Sequence, residues 1–400
     1  MDIAKPKAAP SYIEFVILMS LMMSLTALSI DAMLPALPQI GSDLNVQNPN
    51  SRQLVISIIF LGLALGQLFF GPLSDKTGRK PAIYAGYALY ISGALLSLSA
   101  MSFPIMLLGR FLQGVGVSAP RAVTLALIRD RFEGRAMARV MSFIMTTFIL
   151  MPMIAPSLGQ LILLNLGWRS IFGSFILLAV IAMVWFAVRL PETLAPEDRA
   201  PFTPGRIISA TREILKIRTS LGYTISAGLI SGAFIGYLNS SQQIFQEQYA
   251  LGELFPLIFA TIALSLGIAF LLNARLVTRL GMRFLVNWSL LIIFGLSLIA
   301  LVVSLLAAGQ PQLWLFMAYL MSTFFCVGIL FGNQNSLAME PLGHMAGIGA
   351  AIVGSLSTLI SMPLGTLIGQ SYNGTIIPII IGIAVLSGLS ILVVRWTESS

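Results

Sequence analysis

The chain has 400 residues, 57% of them apolar and only 10% charged, with a mean hydropathy of +0.92. A soluble fold does not carry that composition, whereas twelve helical crossings of about 20 residues each would take up about 240 residues and leave short loops. With one cysteine, Cys326, no intrachain disulfide can form, and with one histidine, His344, no histidine-built metal site is expected, nor any cofactor; the net charge of +8 becomes a question of where each basic residue sits.

In chain order, apolar runs predict helices over Ile13–Leu34, Gln53–Leu73, Ala82–Ala100, Ile105–Ile128, Val140–Leu163 and Ile171–Val188. A second set follows over Leu221–Gln242, Leu254–Leu276, Phe284–Ala308, Leu313–Phe331, Ala346–Gly369 and Ile376–Val394. The first run follows Lys5 and Lys7 but is of full spanning length and lacks a small-residue cleavage site, so it reads as a retained helix and not a signal peptide.

Placing both termini in the cytoplasm puts all but four of the 23 basic residues on that side, the exceptions being Arg52 and Arg169 opposite and Arg110 and Arg121 within a helix. The positive excess is therefore an orientation signal, and no nucleic-acid surface is expected. The longest connection carries Pro191, Pro196, Pro201 and Pro204 and separates six predicted helices from six. It gives an N-terminal bundle over 1–189, a cytoplasmic linker over 190–220 and a C-terminal bundle over 221–400. Asp75-Lys76-Thr77-Gly78-Arg79-Lys80 also has a worn copy half a chain away, Thr278-Arg279-Leu280-Gly281-Met282-Arg283. A repeat of that period means two parallel halves, and the expected fold is an all-α membrane protein of twelve transmembrane helices in two six-helix bundles.

The stretch Gly71-Pro72-Leu73-Ser74-Asp75-Lys76-Thr77-Gly78-Arg79-Lys80-Pro81 resembles the loop 2/3 signature of the major facilitator superfamily. Asp31-Ala32-Met33-Leu34-Pro35-Ala36-Leu37-Pro38, Arg110-Phe111-Leu112-Gln113-Gly114 and Pro152-Met153-Ile154-Ala155-Pro156-Ser157-Leu158-Gly159 resemble its proton-coupled drug antiporters, in the bicyclomycin and chloramphenicol resistance branch. The resemblance implies the major facilitator fold and a monomeric antiporter of the bacterial inner membrane, exchanging small, largely apolar antimicrobials for protons. Export of a small metabolite such as an amino acid is the alternative, because the branch contains both kinds. It also implies that Gly71, Asp75, Gly78 and Arg79 form a cytoplasmic latch, with Asp75 on the N-terminus of helix 11 and Arg79 meeting Asp130. An anion on a helix N-terminus is favoured by the macrodipole. Departures are Ala155 and Gln160 in helix 5, and Thr278 where the second copy of the loop would need its acid, so the second half is expected not to reproduce the latch.

Asp31 and Arg110 are charges inside the bilayer, where an unpaired charge is costly, and both fall in the outer half at similar depth. They are expected to pair, to couple transport to the proton and to contact substrate. Gln113 lies one turn from Arg110 on the same face, and Phe148, Met151, Tyr237 and Asn239 complete a candidate substrate pocket. Pro152 and Pro156 each remove a backbone donor from one face of helix 5, and with Gly159 they mark that helix as a gating element. No Gly-x-Ser-x-Gly and no His-Glu-x-x-His occurs, and the longest hydrophilic segment is too short for a nucleotide-binding domain, so neither an enzyme nor an ATP-driven pump is expected.

Overall fold

The computed structural model describes residues 10–199 and 203–399. Lys5, Lys7 and Pro201, on which part of the orientation and linker readings rest, lie outside the described residues. Twelve long helices run through them: α1 Tyr12–Asp31, α2 Leu54–Thr77, α3 Arg79–Leu98, α4 Phe103–Arg131, α5 Gly134–Leu166, α6 Arg169–Arg189, α7 Arg218–Gln242, α8 Phe255–Leu280, α9 Met282–Leu306, α10 Leu313–Met339, α11 Ala346–Gln370 and α12 Ile377–Glu398. Two short helices, Leu37–Asp43 and Pro204–Lys216, follow α1 and precede α7. Below, the terminus face is the end where α1 begins and α12 ends, and the far face is the opposite end.

The helix limits differ from the apolar runs for a physical reason. Backbone hydrogen bonding does not require apolar side chains, so α4 runs on to Arg131 and α5 begins at Gly134, carrying Arg135 and Arg139 within the helix. In α10 the helix continues through Asn333 and Gln334, whose side chains are buried against neighbours and not exposed to lipid. Conversely α1 stops at Asp31, because Leu34–Ala36 tightens into a 3-10 turn with Pro35 near its start. At the other end of α1, Ser11 caps the helix by accepting the Glu14 N–H at 3.2 Å.

Each packing pair in the first half recurs six helices later. Helix α1 packs on α4, α5 and α6 as α7 packs on α10, α11 and α12; α2 packs on α4 as α8 on α10, and α3 on α4 and α6 as α9 on α10 and α12. The halves meet along α2 with α11 and, symmetrically, along α5 with α8. This is the two-bundle major facilitator fold, and its outward surface is apolar, with Leu161, Leu164, Leu271, Ile299, Val302 and Leu392 all exposed.

Helix α4 is the spine of the first half because it lacks side chains where its neighbours cross. A Cβ on Gly62 of α2 would strike the α4 backbone at Phe111, Gly114 and Val115, and one on Gly93 of α3 would strike it at Gly109 and Gln113. Such close backbone approach is how helices associate where no hydrophobic difference between lipid and side chain drives them together. In the second half Gly228, Gly232 and Gly236 of α7 instead make room for the side chains of Ile360, Leu364 and Ile368 of α11.

Candidate transport site and gates

Arg110 is fully buried in α4 and donates from Nε to the carbonyl of Val55 at 2.9 Å, from one terminal nitrogen to Gln113 Oε1 at 2.7 Å, and from the other to the carbonyl of Ser29 at 2.6 Å. The Ser29 carbonyl belongs to the last turn of α1, where carbonyls have no intrahelical partner and the macrodipole favours a cation. The guanidinium therefore caps α1 and ties α1, α2 and α4 together, with the Phe172 ring 5.8 Å from its central carbon. Gln113 Oε1 is occupied by that contact, and its Nε2 is buried without a partner. The expected ion pair with Asp31 is not formed: no ion pair to Asp31 exists among the described residues. Backbone carbonyls and Gln113 satisfy the arginine instead.

Asp31 ends α1 and is only 4% exposed. Across the interface between the halves it lies within electrostatic reach of Tyr237 on α7, whose hydroxyl is buried with no hydrogen-bond partner. The Tyr237 ring stacks on Phe259, with centroids 5.7 Å apart, and tilts against Phe324 at 4.6 Å. The chain just past Asp31, the turn Leu34–Ala36, thus packs on the helix that carries Tyr237 and its aromatic wall. Phe148 and Met151 are half-buried on α5. Asn239 has its amide nitrogen bridging Ser57 Oγ at 2.9 Å and the carbonyl of Gly365 at 3.1 Å, at the junction of α2, α7 and α11.

Pro152 and Pro156 lie inside the unbroken helix α5, and a Cβ on Gly159 would collide with the carbonyl of Ala32. Glycine at 159 is what lets α5 lie on the end of α1, next to Asp31.

At the terminus face, Gly78 takes a φ of +100° between α2 and α3, a conformation open to glycine. Arg79 behind it is buried, donating from Nε to Asp130 at 2.9 Å and from one terminal nitrogen to Asp75 at 2.5 Å and Ser74 Oγ at 3.0 Å. Gly71 lies against Ala351 of α11. Asp75 itself does not cap α11 in this structure: a cleft lined by Pro72, Asp75, Arg206, Ile207, His344 and the first residues of α11 lies between them. His344 meets Glu213 of the short linker helix at 2.7 Å.

One latch residue has no signal in the loop motif. Glu192, just after α6, accepts the backbone N–H groups of Arg79 at 2.8 Å and Lys80 at 3.0 Å, placing its carboxylate on the N-terminus of α3. Lys80 reciprocates by donating to the carbonyls of Ala187 and Leu190 at the end of α6. In the second half, where Thr278 and Met282 stand in place of Asp75 and Arg79, Gly281 has φ +80°, and Arg283 pairs with Glu340 at 3.5 Å and reaches Glu398 at 4.0 Å. Glu340 follows α10 and Glu398 ends α12, and both pairs are more exposed than those of Arg79.

The Major Facilitator Superfamily profile matches residues 19–366, and the chain belongs to that family. It is a multi-pass membrane transporter and not an enzyme. A bicyclomycin resistance protein homolog of Haemophilus influenzae is 27% identical over 96% of both chains, and the multidrug resistance protein MdtL of Escherichia coli is 28% identical over 81% of this chain and 80% of its own. The xylose transporter XylE from E. coli has the same fold, with a TM-score of 0.73 over 97% of this chain and 98% of its own at 13% identity.

Proposed function

We propose that this transporter is a proton-coupled antiporter of the bacterial inner membrane that exports small, largely apolar antimicrobial compounds by alternating access. The observation that carries the reading is Asp31: a buried carboxyl group with no ion pair, at the end of α1 and at the seam between the halves. A carboxyl so placed can hold a proton or accept a hydrogen bond from a substrate, and each excludes the other. The names of the relatives, bicyclomycin resistance and multidrug resistance, support drugs as the cargo.

In this reading residues 1–189 and 221–400 rock against each other about the substrate, joined by the linker at 190–220, with the termini and linker in the cytoplasm. Drug enters from the terminus face when Asp31 is ionised, making contact with Tyr237, Phe148 and Met151. Reorientation exposes the far face, where protonation of Asp31 releases the drug. The proton returns with the protein and leaves to the cytoplasm. Arg110 does not pair with Asp31 but fixes the end of α1 on which Asp31 stands, so it is a positioning residue. Each net charge carried through the cycle would draw about 2.3 kcal/mol per 100 mV from the membrane potential. Gly71, Asp75, Gly78, Arg79 and Asp130 gate the cytoplasmic side, and α5, with Pro152, Pro156 and Gly159, moves with α1. The monomer in lipid is the transporting unit.

Expression in a susceptible strain without its own efflux pumps tests the assignment, scored against phenicols, bicyclomycin, sulfonamides, dyes and amino-acid analogues. Raised tolerance to at least one drug, lost in Asp31→Asn, is expected. Unchanged tolerance to all of them, with altered release of a metabolite, would overturn it.

A further inference from the structure

At the far face the two halves are joined by contacts that the sequence motifs do not mark. Asn50 lies in the 3-10 turn Pro49–Gln53 that leads into α2. Its side-chain nitrogen donates to the carbonyls of Gln370 at 3.0 Å and Tyr372 at 2.8 Å, at and just beyond the end of α11. Gln370 returns the contact, its amide nitrogen donating to the carbonyl of Asn50 at 2.8 Å. Gln243, following α7, donates to Asn50 Oδ1 at 2.9 Å and is itself hydrogen-bonded to Gln53. Four hydrogen bonds thus join Asn50 to the other half, and they engage both N–H donors and the oxygen of its side chain. One ion pair, Arg52 with Glu247, lies beside this cluster, with Glu247 nearly half exposed.

We propose that this amide clasp, centred on Asn50, is the far-face gate of the transporter, and that it is held by neutral hydrogen bonds and not by charge. The clasp is formed while the Asp75 contact to α11 at the opposite end is not, the complementary arrangement that a carrier with two alternating gates requires. A neutral amide can exchange its partners for water when the gate parts, so the clasp itself separates no charges; the neighbouring Arg52–Glu247 pair must part with it, and with Arg52 only 11% exposed that pair is screened only in part by salt. The helix that leads to Gln243 of the clasp also meets the chain next to Asp31: the 3-10 turn Leu34–Ala36, three residues past it, packs on α7. Parting the clasp would give Asp31 access to the far side. Of the proposed function this requires only that the halves separate, and it stands whatever the cargo or coupling ion.

The test is a distance measurement on the purified full chain in lipid nanodiscs, using spin labels on Gln47→Cys and Ser371→Cys, both at the far face. Asn50→Ala should raise the population of longer distances by about tenfold or more, and Gln243→Ala, which removes fewer contacts, should shift it less in the same direction. Raising salt from low to molar concentration should change the parent far less than Asn50→Ala does. Distances unchanged in both variants would overturn the proposal, as would Glu247→Gln opening the far face as much as Asn50→Ala, which would make Arg52 and Glu247 the gate. Because the readout is distance, a loss of drug transport for any other reason leaves the result for the gate intact.

Discussion

The Arg110 guanidinium donates to the carbonyl of Ser29 at 2.6 Å, two residues before Asp31, so the one charge is fixed by backbone while the other is left unpaired beside it. The two residues should therefore respond oppositely to substitution. Arg110→Lys keeps the charge but cannot reach Val55, Ser29 and Gln113 together, and hydrogen bonds to a charged group are typically worth about 1.5 to 3 kcal/mol each. A clear drop in thermal midpoint is expected in detergent. Asp31→Asn removes a carboxyl with no ion-pair partner and should leave the midpoint unchanged or raised. A loss of stability in Asp31→Asn equal to that in Arg110→Lys would show that Asp31 is held by its surroundings.

Arg79 separates the roles of two aspartates. Asp130 accepts from Nε with its own side chain 19% exposed, while Asp75 is about half exposed and faces the cleft before α11. Asp130→Asn should lower stability by weakening a buried charge contact. Asp75→Asn should leave stability near the parent's, yet slow export and enlarge the population open at the terminus face, because in the proposed cycle Asp75 meets the α11 N-terminus when that face closes. Such a contact is worth about 0.3 to 1 kcal/mol, and up to about 2 when partly buried. Normal export in Asp75→Asn, with unchanged cross-linking across that face, would reduce Asp75 to an orientation charge.

Glu192 offers a test of the capping geometry at α3. Replacing it by Ala removes the acceptor of the Arg79 and Lys80 N–H groups and a favourable anion, an expected loss of about 1 kcal/mol. Glu192→Gln should recover part of it, since the amide oxygen still accepts. Equal thermal midpoints for parent, Ala and Gln variants would show that water replaces the carboxylate at no cost.

Orientation is tested by a cysteine at Ser209, exposed on the short linker helix. A membrane-impermeant thiol reagent should label it in opened membranes and not in intact cells, because the basic residues cluster at that face. Labelling from outside intact cells would reverse the assignment of sides.

The helices and the two-half plan were legible because lipid imposes long apolar runs and because the repeat of Gly78 at Gly281 survives. Asp31, Arg110 and Arg79 stood out for the same reason, as charges where charges are costly. Their partners did not. Arg110 is satisfied by the carbonyls of Ser29 and Val55, which every residue possesses and no sequence pattern marks. The Glu192 cap is separated from Arg79 by more than a hundred residues. The clasp at Asn50 is written in neutral amides, ordinary residues for a loop. The polar run from Asn239 to Gln243 at the end of α7 supplies Gln243 to it.

Proton release on drug binding tests the coupling claim most directly. Purified protein in weakly buffered solution, given a phenicol or another compound to which it confers tolerance, should release protons as Asp31 ionises to admit the drug. Asp31→Asn should release none while keeping its fold, and Arg110→Lys should release fewer as α1 loses its anchor. Undiminished release in Asp31→Asn would contradict the account and move the coupling site away from the end of α1.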